Sequence, residues 1–214
     1  MLSGYCIAGI DERGVWVRPK KRFGTLQLGD VSYRDRSLMQ PFDRVRFAVE
    51  RPAPRPPHVE DVDCEFVRRR PERISRLSSE ERAAFLERHA EADAGPVLAG
   101  RRSLAIVRSD DLNAEFRLDG YSGKYEARLW LPEIDRERSL PVTDLRWRAL
   151  GRDLLPAGGG KLTLSLAELR ERVGFETAYV ALGLARHFEG QHWPLVIGVH
   201  VLPDFDVTVD PKRT

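Results

Sequence analysis

Cysteine, lysine and long apolar runs are what this 214-residue sequence has least of. Its two cysteines, Cys6 and Cys64, are too few for a disulfide framework. A single bond between them stays open, but reduced and buried thiols are expected. No apolar run approaches the ~20 residues of a membrane-crossing helix. The N-terminus has neither the basic start nor the apolar core of a secretion signal, so the sequence reads as cytoplasmic with no membrane partner. The net charge of only +2 excludes a polycationic tail binder, so any cationic surface must come from local clustering. Only 5 of the 35 basic residues are lysine. Arginine offers a planar fork that suits phosphate and a flat face that stacks on bases. A GC-rich genome also favours arginine codons, so the ratio alone assigns nothing. The composition, 32% charged and 42% apolar, argues against a disordered chain. The length suffices for one large or two small domains with a real core.

Strand signals dominate what is present. Gly4 to Ile10 is apolar, Asp11 to Gly14 is a polar turn, and Val15 to Arg18 is a second short strand that Pro19 should stop. Asp43 to Glu50 alternates, with Val45, Phe47 and Val49 on the inward face and Arg44 and Arg46 outward. Residues 51–57 hold four prolines and read as an extended connection. Ser78 and Glu81 have capping-box spacing, and Ala83, Ala84, Phe85, Leu86 and Ala90 supply an apolar stripe, which predicts a helix over 78–91. Strands resume at Leu104 to Val107, Lys124 to Leu131 and Leu145 to Ala149, the last around an inward Trp147. After Gly158-Gly159-Gly160 come a strand at Leu162 to Leu166 and a helix opened by Ser165 and Glu168. Ala178 to Ala185 and Leu195 to Leu202 read as a closing hairpin across the polar stretch 187–192. Without a repeated βαβ pattern, this order predicts a mainly β protein of two small barrels. The expected division is 1–57 as a first OB-like domain, 58–100 as a connecting segment, 101–205 as a second OB-like domain, and 206–214 as a tail.

Cations and aromatics interleave in both halves. Residues 13 to 46 hold nine basic and three acidic side chains, an excess that the net charge conceals. With Val15 and Val17 inward, Trp16 and Arg18 face out, and Lys20, Lys21, Arg22 and Phe23 follow in the next loop. Arg44 and Arg46 join them. In the second half, Lys124, Arg128 and Trp130 face out, Arg146 and Arg148 flank Trp147, and Tyr121 sits in the Gly120–Gly123 turn. Rings that stack on bases beside cations that follow phosphates make a single-stranded nucleic-acid groove. Ordinary solvated faces are the alternative reading of both patches.

The signals for chemistry are weaker. His58, Glu60, Asp61 and Asp63 suit a divalent cation and would support a metal-dependent nuclease or nucleotide hydrolase. His187, His192 and His200 lack zinc spacing. Gly160-Lys161 fails as a phosphate loop, because Leu155 and Leu162 stand where Gly and Ser or Thr are needed. No nucleophile elbow is present. No catalytic residue, metal or cofactor is therefore expected.

Several segments carry a family resemblance. Cys6 to Asp11 followed by Gly14 to Pro19, then Val45 to Val49, then Pro57-His58-Val59-Glu60-Asp61, resemble the dual-OB-domain family of bacterial proteins. Ser165-Leu166-Ala167-Glu168, Gly174 and Tyr179 to Leu182 resemble its C-terminal region. Ala167 stands where a Gly is expected and Val180 where a Lys is expected, so no cation carries over at 180. The resemblance implies two OB-folds and, by analogy, binding of single-stranded or structured DNA or RNA without a catalytic site. A protein partner or a homodimer is the remaining kind of contact, since barrels of this type also bind peptides.

Overall fold

The structure, a computed structural model, describes residues 4–132, 134–187 and 190–210. It opens on the predicted turn. The Asp11 carboxylate accepts the backbone N–H groups of Arg13 and Val15, each at 2.9 Å, and Gly14 takes φ 79°, a conformation that costs a residue with a Cβ. That turn joins β1 (Gly9–Ile10) to β2 (Trp16–Lys20) in antiparallel register. β3 (Asp43–Arg46) and β4 (Ala48–Pro52) follow, then β5 (Asp61–Glu65) and β6 (Glu72–Arg76). One sheet runs β1-β2-β5-β4, with β2 and β5 parallel, while β3 and β6 form a separate two-stranded ribbon.

The helix α1 (Ser79–His89) begins as predicted. The Glu81 carboxylate accepts the Ser78 N–H at 2.8 Å, and the Ser78 hydroxyl accepts the Glu81 N–H at 3.2 Å. Phe85 meets Phe42 edge-on at 6.0 Å, and the buried Arg82 lies over the same ring at 4.4 Å.

Two compact units result. The first runs to His89 and takes in Arg101–Ser103; the second takes Ala90–Gly100 and resumes at Leu104. The first unit includes residues 58–89. The second unit contains β7 (Ala90–Glu91), α2 (Gly95–Leu98), β8 (Leu104–Ser109), β9 (Asn113–Leu118), β10 (Tyr125–Leu131) and β11 (Asp135–Pro141). It continues with α3 (Leu145–Leu154), β12 (Gly160–Ser165), α4 (Leu166–Val173), β13 (Thr177–Leu184) and β14 (Pro194–Leu202). Its sheets run β11-β10-β9-β12 and β14-β13-β8-β7, and a bridge between Val142 and Val196 ties one to the other. Their inner faces share one core with Trp147 of α3 and Leu169 of α4.

The chain is mainly β, as expected. The described ladders are three four-stranded sheets and one ribbon rather than closed five-stranded barrels. The hairpin β13–β14, the capping box of Ser165 and Glu168, and the inward set Tyr125, Ala127, Leu129 and Leu131 follow the expectation. Of the expected tail, residues 211–214 lie outside the described residues, as do 188–189 in the polar stretch.

Five local expectations are corrected. Leu145 to Ala149 is helical: Asp144 caps α3 by accepting the N–H groups of Arg146 (2.8 Å) and Trp147 (3.3 Å). Asp43 to Glu50 is two strands, because the chain changes partner at Phe47, pairing β3 with β6 and β4 with β5. Val49 is consequently exposed rather than inward, and Val15, in the turn before β2, is exposed too. Pro19 lies inside β2; its register with β5 holds through Lys20, while β1 ends opposite Val17 and asks no N–H of Pro19. Both cysteines are free thiols, but only Cys64 is buried and Cys6 is exposed. Burial pushes the Cys64 thiol up to about 11.

Candidate nucleic-acid interface

In the first unit, the parallel register of β2 and β5 sets Arg18 opposite Asp61 and Lys20 opposite Asp63. The expected outward direction of Arg18 is therefore overturned: its side chain is buried, and its Nε donates to Asp61 at 2.6 Å with Glu60 3.4 Å away. Lys20 and Arg51 both bind Asp63, at 2.5 and 2.9 Å. Lys21 pairs with Asp30 at 2.5 Å, and the Ser103 hydroxyl donates to Glu60. Three of the predicted cations, Arg18, Lys20 and Lys21, are thus engaged within the protein. The same pairs consume the carboxylates of Glu60, Asp61 and Asp63, which hold cationic side chains where the metal reading needed free ligands. Among the described residues, no group of three or more His, Cys, Asp or Glu side chains is placed to hold an ion.

The remaining predicted residues of this unit lie elsewhere. Trp16, first in β2 and opposite Ile10, is half-buried rather than fully outward. Phe23 is exposed with the Arg22 guanidinium 5.2 Å above its ring. Arg44 and Arg46 are exposed on β3, and Arg46 pairs with Glu72 at 3.0 Å, both side chains well solvated.

The second unit assembles a coherent face. Strict alternation in β9, β10 and β12 buries Ala114, Phe116, Ala127, Leu129 and Leu164, which turns the intervening residues to the other side. Register then defines three rows across the sheet. Lys161, Arg117 and Glu126 form one; Thr163, Glu115 and Arg128 the next; Ser165, Asn113 and Trp130 the last. Cross-strand neighbours of this kind sit about 4.5–5.5 Å apart. At the near end, the Asp119 carboxylate accepts the N–H groups of Tyr121 (3.1 Å) and Ser122 (2.7 Å), which shapes the turn and leaves the Tyr121 ring fully exposed.

Arg117, Asp119, Ser122, Lys124 and Glu126 line a hollow of about 110 Å³ at this end of the sheet. Lys124 pairs with Glu126 at 2.7 Å and Lys161 with Glu115 at 2.8 Å. Arg128 is held by Ser139, donating to its hydroxyl at 2.7 Å and to its carbonyl. The face is therefore only weakly cationic. Its distinctive groups are the two rings at its ends.

Four predicted residues of this half, Tyr121, Lys124, Arg128 and Trp130, share the face. Arg146 and Arg148 do not, because they sit on α3 and serve the fold. Arg146 donates to the Phe205 carbonyl and pairs with Asp204 at 3.0 Å. Arg148 lies 4.9 Å over the Tyr125 ring and donates to the carbonyls of Val142 and Tyr125. Burial lowers the Arg148 pKa from its ordinary value. Sequence reasoning missed Arg117 as a member of the face and placed Lys161 only in a failed phosphate loop. Their shared row depends on β12 pairing with β9, which no local pattern announces.

A sequence model of the dual OB-containing domain matches residues 1–199. The chain belongs to the dual OB-containing domain family. No curated protein and no solved structure matches it. The family match runs through both units and ends within β14. Two of its recognised segments, Gly14 to Pro19 and Pro57 to Asp61, come together in the β2–β5 register through Arg18 and Asp61. A third, Ser165 to Glu168 with Gly174 beyond it, supplies the capping box and the left-handed C-cap of α4, Gly174 at φ 82°. These recognised segments thus carry turns, caps and a buried ion pair, while Tyr121, Lys124, Arg128 and Trp130 lie outside them. No helix among the described residues is long and apolar enough to cross a membrane.

Proposed function

We propose that this dual OB-containing chain binds nucleic acid without transforming it, with unpaired strands held on the outer face of β12, β9 and β10. The observation that carries this reading is Tyr121, fully exposed at one end of a face whose other end is Trp130, with Arg117, Lys124 and Arg128 between them. Rings present flat surfaces to successive bases, whatever the sequence, and cations between them meet the phosphates. From Lys124 to Trp130 the strand rises ~20 Å at ~3.4 Å per residue, room for more than one base. OB-type domains commonly bind oligonucleotides on a sheet face, which supports this reading for a chain of the dual OB-containing family. DNA or RNA would both satisfy a stacking site.

The test is fluorescence anisotropy with labelled single strands over a range of salt. Tyr121→Ala should weaken binding by ~1–3 kcal/mol, the value of one stacked base, with the salt slope unchanged. Its melting temperature should equal that of the parent, because the ring touches solvent alone. Wild-type affinity in Tyr121→Ala would remove the face from consideration. A cut or shortened strand in the same tubes with Mg or Mn would replace binding with catalysis.

A further inference from the structure

We infer that the β3–β6 ribbon and the loop before it form a second nucleic-acid interface, fitted to the phosphates of duplex DNA. This rests on the reading above for the class of polymer, but on different residues.

The ribbon has an unusual surface. All five residues of β6 are exposed, as are Arg44 and Arg46 of β3. Arg68, Arg69 and Arg70 follow one another in the exposed loop between β5 and β6. Together with Arg73 and Arg76, seven arginines occupy these three short segments. They meet three carboxylates: Asp43, Glu72, and Asp35, which lies 3.8 Å from Arg73. Asp43 is withdrawn from solvent, accepting Tyr33 Oη at 2.8 Å, Arg76 Nε at 2.7 Å and the Gln40 N–H at 3.0 Å. The side chains of Arg44, Arg69 and Arg70 make no ion pair or hydrogen bond among the described residues.

The scaffold beneath is firm. Phe47 meets Phe66 at 6.1 Å where the ribbon leaves the sheet, and Phe42 meets Phe85 at its other end. The Glu65 carboxylate accepts the N–H groups of Val67 (2.7 Å) and Arg68 (3.1 Å), which turns the loop outward. Arg73 lies 5.2 Å over the Tyr33 ring, so that aromatic is covered and buried. The exposed apolar side chains of the ribbon and loop are Val67 and Ile74, neither with a ring.

Charge without a stacking platform points to paired rather than unpaired strands. A duplex keeps its bases stacked inside and presents a dense row of phosphates, which arginine forks match in geometry. The major groove of B-form DNA also admits a two-stranded ribbon, whereas the deep major groove of A-form RNA is too narrow for side chains to read.

The experiment compares the full chain with R68Q/R69Q/R70Q and with Tyr121→Ala, each against a blunt DNA duplex and a single strand of equal length. The triple variant should lose duplex affinity. Its slope of log K against log salt should shrink by ~0.9 for each phosphate no longer neutralised, up to ~2.7. Its single-strand binding should persist, and Tyr121→Ala should show the reverse pattern. Unchanged melting of the triple variant establishes that charge, not folding, is being read. Duplex binding of parental strength and slope in the triple variant overturns the inference. Equal loss on both ligands overturns it too, since the loop would then belong to a general cationic surface. If Tyr121→Ala leaves single-strand binding unchanged while the triple variant still loses the duplex, the stacking face falls and the ribbon assignment stands.

Discussion

The two units of this chain are held together by different means. The second has a continuous apolar core in which Trp147, Phe116, Leu129, Leu131, Leu164 and Val180 are fully enclosed. Among the described residues, the apolar centre of the first sheet is small: Leu26, Val31, Cys64 and Phe66, with Tyr5, Ile7, Leu38, Phe47 and Val62 partly buried around them. In place of a larger core, the first unit buries Arg18, Asp30, Ser32, His58, Glu60, Asp61 and Asp63. Apolar burial is additive and tolerant, whereas a buried ion pair helps only while every charge keeps its partner. The surfaces differ in the same sense. The first unit displays guanidinium groups without rings on its ribbon; the second displays the Tyr121 ring beside two lysines paired to Glu126 and Glu115.

The largest expected effect comes from the apolar side of the comparison. Trp147→Ala should cost the second unit ~3–5 kcal/mol, because the indole is enclosed by Phe116 at 5.9 Å and Phe205 at 6.1 Å. Chemical denaturation followed by hydrogen exchange should show β8 to β14 losing protection first. If β2 and β5 lose protection equally, the units do not have separate stabilities.

The ionic side should respond as a pair, not as a side chain. Arg18→Leu leaves Asp61 and Glu60 buried without their cation and should cost ~3–5 kcal/mol. Adding Asp61→Leu should recover part of that loss, because two apolar groups replace the pair without a stranded charge. A double variant as unstable as the sum of its parts would mean that the pair is not the unit of stabilisation.

Acid should act with opposite sign on the buried carboxylates Asp63 and Asp43 of the first unit and Asp144 of the second. In the first, Lys20 and then Arg51 hold Asp63 below its ordinary value of 3.8. Burial pushes Asp43 upward, but hydrogen bonds from Arg76, Gln40 and Tyr33 carry it below 3.8 as well. Lowered folded-state values give stability that is present above pH 3.8 and lost as pH falls through them. In the second unit, burial raises Asp144 above 3.8 despite N–H donors from Val199, Arg146 and Trp147. That contribution has the opposite sign: it is present below 3.8 and lost as pH rises through the raised value. Lowering the pH from neutrality toward 3 should therefore open the β2–β5 ladder before the β13–β14 ladder, read by residue-resolved exchange. Opening in the reverse order would contradict the assignment.

How much of this is legible in the sequence depends on how local each signal is. Turns, caps and alternation are set by near neighbours, so the Asp11–Gly14 turn, both capping boxes and the inward face of β10 can be read directly. The α3 helix hides behind the alternation of Leu145, Trp147 and Ala149, although Asp144 three residues before Trp147 is an N-cap signal. The buried side of α3, including Trp147, Leu150 and Gly151, follows helical spacing. The ion network is not legible, since a parallel pairing between strands 43 residues apart decides it. Arg18 and Lys20, two apart, match Asp61 and Asp63, two apart, and that repeated spacing is the one available clue. The Arg68-Arg69-Arg70 run is visible as residues; its exposure depends on a ribbon that no periodicity shows.

The smallest expected effect applies one perturbation to both units. Ser78 and Ser165 each begin a helix with the same reciprocal arrangement: the hydroxyl accepts the Glu N–H at 3.2 and 3.3 Å, and the glutamate accepts the serine N–H at 2.8 Å in both. Replacing either serine by alanine removes the same acceptor and should cost ~1 kcal/mol of local helix stability. The consequences beyond the helix should differ. α4 presents Leu166 and Leu169 to the large core and is closed by Gly174, so Ser165→Ala should fray one turn and leave β12 and β13 protected. α1 buries Arg82 and Leu86 and contacts Phe42 through Phe85, at the foot of the ribbon. Ser78→Ala should therefore raise exchange in β3 and β6 as well as in the helix, since Phe85 and Phe42 link the helix to the strand that begins at Asp43. Equal spread from both variants would mean that the first unit has a margin its small core does not suggest.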